Sequence, residues 1–261
     1  HRCHFLQRDP VDWDIQTKKD YDSVSKPWTE IIGIQEQRPP LQNTKFYVRL
    51  GRTIRTGLLL DWQQRIEGIG AGKSKINNNS KAIALACGSH SGSKLHAREA
   101  FKILWEYDID VNHLKCPFKN TSPLEHNCSG KHAAFLATCK KLSWPIKSYL
   151  KGDHPLQLEI FRIISELLEI PESKINAERD DCGAPTLYMK LLEMAKLYAL
   201  LSSSDNAELE QISRSITTNP TMISDHNRFD TEVIKASHGQ VISKGGAEGI
   251  QCLCKVNEGM G

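Results

Sequence analysis

The distribution of apolar residues divides this chain near residue 80. After Lys81, apolar side chains recur at helical or strand spacing, whereas residues 1–80 show little sustained period of either 2 or 3.6. The first part also contains the break Arg38-Pro39-Pro40 and ends in a polar tract at residues 77–80. We therefore expect an irregular N-terminal segment, residues 1–80, followed by one folded domain, residues 81–261.

The strongest helix pattern begins after Pro155 and stops before Pro171. Proline is tolerated in a first helical turn and ends a helix elsewhere, so both prolines agree with a helix between them. Its apolar stripe consists of Leu156, Ile160, Ile163, Ile164, Leu167 and Leu168. Three further stripes predict helices, from Ala97 to Trp105, from Leu187 to Leu201 and, after the cap Asp205, from Leu209 to Ile216.

Strands are expected on both sides of these helices. The continuous apolar run Ile83–Cys87 ends at Gly88 and is typical of a buried strand. Residues 241–243 and the alternating residues 250–256 predict two more strands, separated by two glycines. This order favours an α/β fold in which helices pack on a mixed sheet.

Composition narrows the class of protein. The 261 residues include 34 Lys+Arg and 31 Asp+Glu, a net charge of +3, so neither a nucleic acid nor an anionic membrane is an expected partner. Eight cysteines are too few for a disulfide scaffold of this length, so reduced thiols are expected. Without an apolar run of about 18 residues or a recognisable signal peptide, we expect a cytoplasmic protein that binds a small molecule.

Ser89 follows the first predicted strand at a glycine turn. A serine hydroxyl becomes a nucleophile when a base lies beside it, and a desolvated lysine can be that base. Lys244, between a predicted strand and two glycines, is the candidate partner. The alternative is that Ser89 is a turn serine that caps the next helix.

Two cysteines are expected at helix N-termini. Cys128 precedes a helix that begins near Lys131 or His132, and Cys182 occupies a loop before the third predicted helix. A helix N-terminus and a nearby lysine favour the thiolate, which is a soft metal ligand suited to zinc. The sequence contains no Cys-x-x-Cys pair, so buried inert thiols remain the alternative. Cys252 and Cys254 share one strand face, where packing is the expected role.

Five segments resemble the asparaginase II family, in particular the cyanobacterial and rhizobial-type L-asparaginases. They occur in the family's order between about Ala82 and Gly261. They are Ala86–Gly92, Ser122–His132, His154–Gln157, Asp180–Thr186 and Gly246–Gly249.

The resemblance implies a fold related to serine β-lactamases and DD-peptidases, hydrolysis of L-asparagine to L-aspartate and ammonia, and a homodimer. By position, Ser89 and Lys244 match a catalytic Ser–Lys pair. The resemblance also implies two further site residues here and a zinc set. Asp180 and His90 match the substrate pocket, Asp180 at the α-amino group, and the zinc set is Cys128, Lys131 and Cys182.

The chain departs from the family pattern in three places. A second family motif with serine and lysine corresponds to Arg55–Leu60, where Arg55 would contact substrate and Thr56 would replace the catalytic serine. Leu59 falls at the lysine position and cannot accept a proton. Residues 225–227 replace a glycine-bearing turn, and the family's final segment is expected to be missing after Gly261.

Two hypotheses therefore remain. The first is an amidohydrolase that uses a Ser/Lys acyl-transfer mechanism on asparagine. The second is a catalytically impaired relative that binds small amino acids, zinc or a protein partner without turnover. The segment Arg55–Leu60 separates them, because it determines whether the second Ser–Lys pair is intact.

Overall fold

The computed structural model describes residues 79–117, 122–203, 205–246 and 249–261. Within these ranges the chain is mostly helical, with two small antiparallel sheets of two strands each. The helices are α1 (Ser80–Cys87), α2 (Lys94–Glu106), α3 (Ser129–Lys141), α4 (Pro155–Leu168), α5 (Leu191–Ser202), α6 (Ala207–Thr218), α7 (Pro220–Ile223) and α8 (Phe229–Ala236). The strands are β1 (Ala177–Arg179), β2 (Pro185–Leu187), β3 (Val241–Gly245) and β4 (Gln251–Lys255).

Helix α1 corrects the strand expected over Ile83–Cys87. The Asn79 side chain accepts a hydrogen bond from the Ala82 N–H at 3.2 Å and so caps the helix. Alternate alanines favour a helix, and every residue from Ala82 to Cys87 is buried. A helix buried on all sides shows no 3.6-residue period, so its sequence looks like that of a buried strand.

Helix α3 lies at the centre of the core beside α1. Its residues from Ser129 to Cys139 are all buried, and it packs against both α1 and α2. A Cβ on Gly130 would lie 2.6 Å from the Leu85 carbonyl oxygen, so only glycine permits this approach of the two helices. The crossing places the first turn of α3 directly beside the end of α1.

The predicted helices are found, with shifted starts. Helix α4 follows the Pro155 stripe and is capped by the His154 side chain, which accepts from the Leu156 N–H at 3.1 Å. Helix α5 begins at Leu191 and not at Leu187, because Leu187 pairs with Ala177 in the first sheet. The cap of α6 is Asn206, not Asp205, and its side chain accepts from the Leu209 N–H at 2.9 Å.

The second sheet confirms the two strands expected near the end of the chain. Strands β3 and β4 pair with Ile242 opposite Cys254 and Lys244 opposite Cys252. Helix α8 packs on β3 and α5 packs on β4. Cys254 is buried, and the Cys252 sulfur lies 3.4 Å from the Met194 sulfur.

A single mixed sheet is not found among the described residues, since their strands form two separate pairs. The expected α/β class is thus supported only in the general sense that helices and strands are both present. The likeness to serine β-lactamases stays a prediction. The domain boundary near residue 80 stays a prediction as well.

In the described part of the chain, no helix has both the length and the apolar character needed to cross a membrane.

Candidate active site

The Ser89 segment leaves α1 and runs between two other parts of the chain. The Ser89 N–H donates to the Ile223 carbonyl at 3.0 Å, and the His90 N–H donates to the Asn127 carbonyl at 3.3 Å. Asn127 also donates its side-chain Nδ2 to the Ser89 hydroxyl at 3.2 Å. The hydroxyl is therefore oriented on a half-buried residue that follows a helix, not the strand that the sequence suggested.

The alternative role for Ser89, as a cap of the next helix, is wrong. The residue that precedes α2 at its cap position is Ser93. Ser93 itself gives no side-chain cap, since its hydroxyl hydrogen-bonds to His96 Nδ1 at 2.8 Å. Ser89 thus has a hydroxyl whose position is explained by Asn127 and not by helix capping.

Asn127 was not singled out by sequence reasoning. It precedes Cys128 in the segment Asn127–His132, from which the cysteine and Lys131 were the predicted site residues. An asparagine in such a segment does not by itself indicate a function. Its role depends on the end of α1 reaching the start of α3, which is a tertiary contact.

His90 is held in a stack of two imidazole rings. Its ring centroid lies 4.4 Å from that of His96, with 13° between the planes, and its Nδ1 accepts the Gly92 N–H at 3.1 Å. His96 is anchored by Ser93 and by the Thr221 carbonyl, 2.9 Å from its Nε2. His90 is thus a fixed, buried neighbour of Ser89, and its contact with substrate stays a prediction.

The Asp225 turn, where the sequence predicts a departure from the family pattern, supports the same segment. The Ser91 hydroxyl donates to the Asp225 carboxylate, and the Ser91 N–H donates to the Ser224 carbonyl at 3.0 Å. Burial alone would raise the pKa of Asp225, but the hydrogen bonds from Ser91 and from the His226 N–H bring it below its ordinary value. The replaced turn thus contributes a charged partner to the Ser89 segment.

Lys244 lies on β3 and is 6% exposed. Its Nζ donates to the carbonyl of Gly245. Strand β3 packs on α8, and α8 packs on α7, which ends at Ile223, the partner of the Ser89 backbone. The two members of the expected Ser–Lys pair are therefore linked through two helices, and a direct bond between their side chains stays a prediction.

The other candidate residues form a buried polar cluster. Lys131 Nζ lies 3.1 Å from Cys182 Sγ and 3.8 Å from Asp180 Oδ2, and the Cys182 sulfur is 3.6 Å from the same carboxylate oxygen. Cys128, Lys131, Cys182 and Asp180 are each at most 4% exposed. The structure thus brings together the three residues of the expected zinc set and Asp180, the carboxylate expected to bind substrate.

The cluster favours a thiolate at Cys182. A hydrogen bond from Cys128 and the positive charge of Lys131 hold the pKa of the Cys182 thiol far below its ordinary value, against the opposing effect of burial. Cys128 stands at the cap position of α3, where the helix dipole also favours negative charge.

The position of Cys182 corrects a sequence expectation. Cys182 lies in the turn between β1 and β2, not at the start of a helix. The turn is closed by the Gly183 N–H, which donates to the Asp180 carbonyl at 2.7 Å, and Gly183 has a φ of +84° that favours glycine. The thiolate is therefore produced by partners from α3 and not by a helix of its own.

The donor chemistry of this cluster fits zinc at three positions. Two sulfurs in contact and one amine nitrogen can fill three corners of a tetrahedral site and leave the fourth open. Within the described ranges no three His, Cys, Asp or Glu side chains converge on one point. A zinc ion here would therefore need Lys131, in its neutral form, as the third ligand.

Arg55 and Thr56, the remaining candidates, lie outside the described residues.

Two comparisons with known proteins bear on identity. No curated protein gives a significant match to the chain. The sequence model of the L-asparaginase II family matches residues 64–261, which include the Ser89 segment, β3 and the buried cluster. This match covers most of the sequence, and we conclude that the chain belongs to the L-asparaginase II family.

Proposed function

We propose that this protein hydrolyses the side-chain amide of L-asparagine to L-aspartate and ammonia. Family membership implies an asparagine amidohydrolase. The observation that carries the proposal is the Asn127 bridge. Its side chain holds the Ser89 hydroxyl, and the next residue is Cys128 of the buried cluster. The residue that orients the proposed nucleophile and a residue of the buried cluster are thus consecutive in the chain.

Substrate binding is assigned to the cluster. Asp180 is a buried carboxylate at the edge of the cluster and suits the α-ammonium group of an amino acid. An incoming ammonium group would share this carboxylate with Lys131. Such paired charges in a buried site are selective, because a ligand without the ammonium group leaves the carboxylate incompletely compensated.

The reaction is acyl transfer in two steps. Ser89 Oγ forms a bond to the amide carbon while its proton passes to Lys244 Nζ, which acts as the base. Collapse of the tetrahedral intermediate breaks the C–N bond, and Lys244 returns the proton so that ammonia leaves. Water then attacks the ester, again giving its proton to Lys244, and L-aspartate is released as the Ser89 hydroxyl is restored.

A zinc ion would be held by Cys128, Lys131 and Cys182. When bound, it would act as a Lewis acid that orients the polar end of the substrate. The residues themselves keep the pocket negative and buried, and Asp180 remains available for the substrate's ammonium group. Thr56 and Arg55 are proposed as supporting polar groups, and a homodimer is proposed from the resemblance alone.

Ammonia release tests the proposal directly. We expect turnover of L-asparagine by the intact chain, and a loss of at least about a hundredfold in kcat for Ser89→Ala and for Lys244→Ala, the scale on which a nucleophile or proton-transfer group contributes. The matched controls are Ser173→Ala and Lys196→Ala, both at exposed positions. Full activity in Ser89→Ala would disprove the assignment.

The second hypothesis, binding without turnover, is favoured by one observation. By the resemblance, Leu59 occupies the position of a family lysine, and the chain would then lack one proton-transfer group. Calorimetry with L-aspartate separates the two. Binding that depends on Asp180, together with no ammonia from a folded and zinc-loaded chain, would support the binding protein and overturn the enzyme.

A further inference from the structure

The carboxylate of Asp230 is bonded to both sides of the candidate base Lys244. Its Oδ1 accepts from Ser243 Oγ at 2.7 Å and from Gln251 Nε2 at 2.8 Å, and its Oδ2 accepts from the Gly245 N–H at 2.9 Å. Gln251 Nε2 also lies 2.9 Å from Ser243 Oγ, which closes the network. One buried carboxylate thereby joins α8 to the residues before and after Lys244.

This network determines where the Lys244 amine rests. The Gly245 N–H is bonded to Asp230, and the next N–H, that of Gly246, donates to the Ile250 carbonyl at 2.7 Å. The Gly245 carbonyl lies between these two bonds, so its position is fixed. Lys244 Nζ donates to that same carbonyl. Asp230 therefore acts on the amine through the backbone of Gly245, whose N–H it binds and whose carbonyl accepts the amine.

The neighbouring residue of α8 connects to the other half of the candidate pair. Thr231 Oγ1 donates to the Pro220 carbonyl at 3.0 Å, and Pro220 begins the short helix whose last residue, Ile223, accepts the Ser89 N–H. Asp230 and Thr231 are both buried. Two consecutive side chains thus tie α8 to the Lys244 strand and to the Ser89 segment.

A simpler role for Asp230 is compensation of the helix dipole in the first turn of α8. Glu232 occupies that same turn, is partly exposed and pairs with Lys235 at 3.2 Å. The dipole would be served by either carboxylate, because both are in the first turn. Among the first-turn carboxylates of α8, Asp230 is the one with bonds to residues 243, 245 and 251. Glu232 is therefore a matched control.

We infer that Asp230 is a positioning residue for Lys244, holding the backbone of Gly245 so that the amine stays at one place relative to Ser89. The part of this inference that concerns catalysis rests on the proposed function. The part that concerns the backbone of Gly245 does not, since it follows from hydrogen bonds alone. The two parts have separate measurements.

The first measurement is the steady-state kinetics of L-asparagine hydrolysis by Asp230→Asn, well below its melting temperature. We expect kcat to fall about tenfold with KM within about twofold of the wild type, because substrate is bound elsewhere and only the proton-transfer group is displaced. Glu232→Gln should retain wild-type constants. Ser243→Ala, which leaves the bond to Gly245 intact, should lose less than Asp230→Asn.

The second measurement is amide hydrogen exchange. In Asp230→Asn the amides of Gly245 and Gly246 should exchange at least about tenfold faster, while that of Ile242 is unchanged. If exchange at Gly245 and Gly246 is unchanged, the Asp230 network does not hold this part of the backbone. If exchange is faster but kcat is unchanged, Asp230 does not position Lys244 for catalysis. If Asp230→Asn does not fold, Asp230→Ser provides the same comparison, because it also removes the carboxylate that accepts the Gly245 N–H.

The outcomes for the two proposals remain distinct. If the wild-type chain releases no ammonia, the proposed function fails, and the inference is decided by exchange and by acetylation of Lys244 with acetic anhydride. Faster acetylation of Lys244 in Asp230→Asn than in Glu232→Gln supports it. Equal rates together with equal exchange overturn it.

Discussion

Lys131 and Cys182 are 51 residues apart in sequence, and their side chains meet at 3.1 Å in the interior of the protein. Both are about 1% exposed, so water does little to stabilise either charge. The contact joins the first turn of α3 to the turn between β1 and β2. After the hydrogen bond from Cys128, the charge of Lys131 contributes to the lowered pKa of the Cys182 thiol. A buried pair of this kind contributes to stability, and under our proposal it also takes part in metal binding and lies beside the substrate site.

Removal of the lysine alone should destabilise the protein. In Lys131→Met the Cys182 thiolate and the Asp180 carboxylate lose their buried cation, and we expect the free energy of unfolding to fall by about 3 kcal/mol, the scale of a broken buried pair. Urea unfolding measures this. The double variant Lys131→Met/Cys182→Ala should recover part of the loss, and a simple sum of the two single effects would contradict the pairing.

Zinc binding should depend on both cysteines. Elemental analysis of the purified protein is expected to give about one zinc per chain, and the ion should be lost from Cys128→Ala/Cys182→Ala, since two sulfur donors are removed. Cys116→Ala is the control, because this thiol is also buried and burial raises its pKa to about 12. Zinc retained by the double variant would disprove the site.

The close approach of α1 and α3 predicts an unusual effect of alanine. Replacing a helical glycine by alanine normally favours the helix, yet Gly130→Ala would place a methyl group 2.6 Å from the Leu85 carbonyl oxygen. We expect a net destabilisation of about 2 kcal/mol, within the range for overpacked cores. Gly152→Ala, at an exposed position where a Cβ meets nothing within 4 Å, should be near neutral. Thermal unfolding of both variants measures the difference.

Stability should fall on acidification because His96 is buried. Burial lowers the pKa of His96 from its ordinary 6.5, outweighing the bond to the Thr221 carbonyl and the charge of Asp225, while nearby His226 acts in the same direction as burial. The unfolded chain therefore binds more protons than the folded chain between the lowered pKa and 6.5. This stabilisation is complete above pH 6.5 and is lost as the pH falls through 6.5 toward the lowered value.

The measurement for His96 is the free energy of unfolding at pH 7.5 and at pH 5. The loss between these two values should be smaller in His96→Gln than in the wild type. His113→Gln, a substitution at a half-buried histidine on another element, should leave the loss unchanged. An equal loss in the wild type and His96→Gln would contradict the assignment to His96.

Much of the helical structure could be predicted from the spacing of apolar residues and from the prolines at helix ends. The stripe between Pro155 and Pro171 predicted α4, because this helix has one buried face. The apolar residues 241–243 predicted β3, which is buried from Val241 to Lys244, and the alternation over residues 250–256 predicted β4. The segment Ile83–Cys87 could not be assigned, because an element buried on all sides loses the periodicity that separates helix from strand. Leu187 was placed in a helix for a related reason, since its pairing with Ala177 is invisible in local sequence.

The candidate site likewise has one part that the sequence could predict and one part that it could not. The sequence by itself determined which residue types are present, and the order of the motifs indicated the L-asparaginase II family and the candidates Ser89, Lys244, Cys128 and Cys182. Only the tertiary structure decided that Lys131 meets Cys182, that Asn127 holds Ser89 and that Asp230 supports the Lys244 strand. These are contacts between distant segments, and their energies come from burial and charge pairing that exist only after the helices have packed.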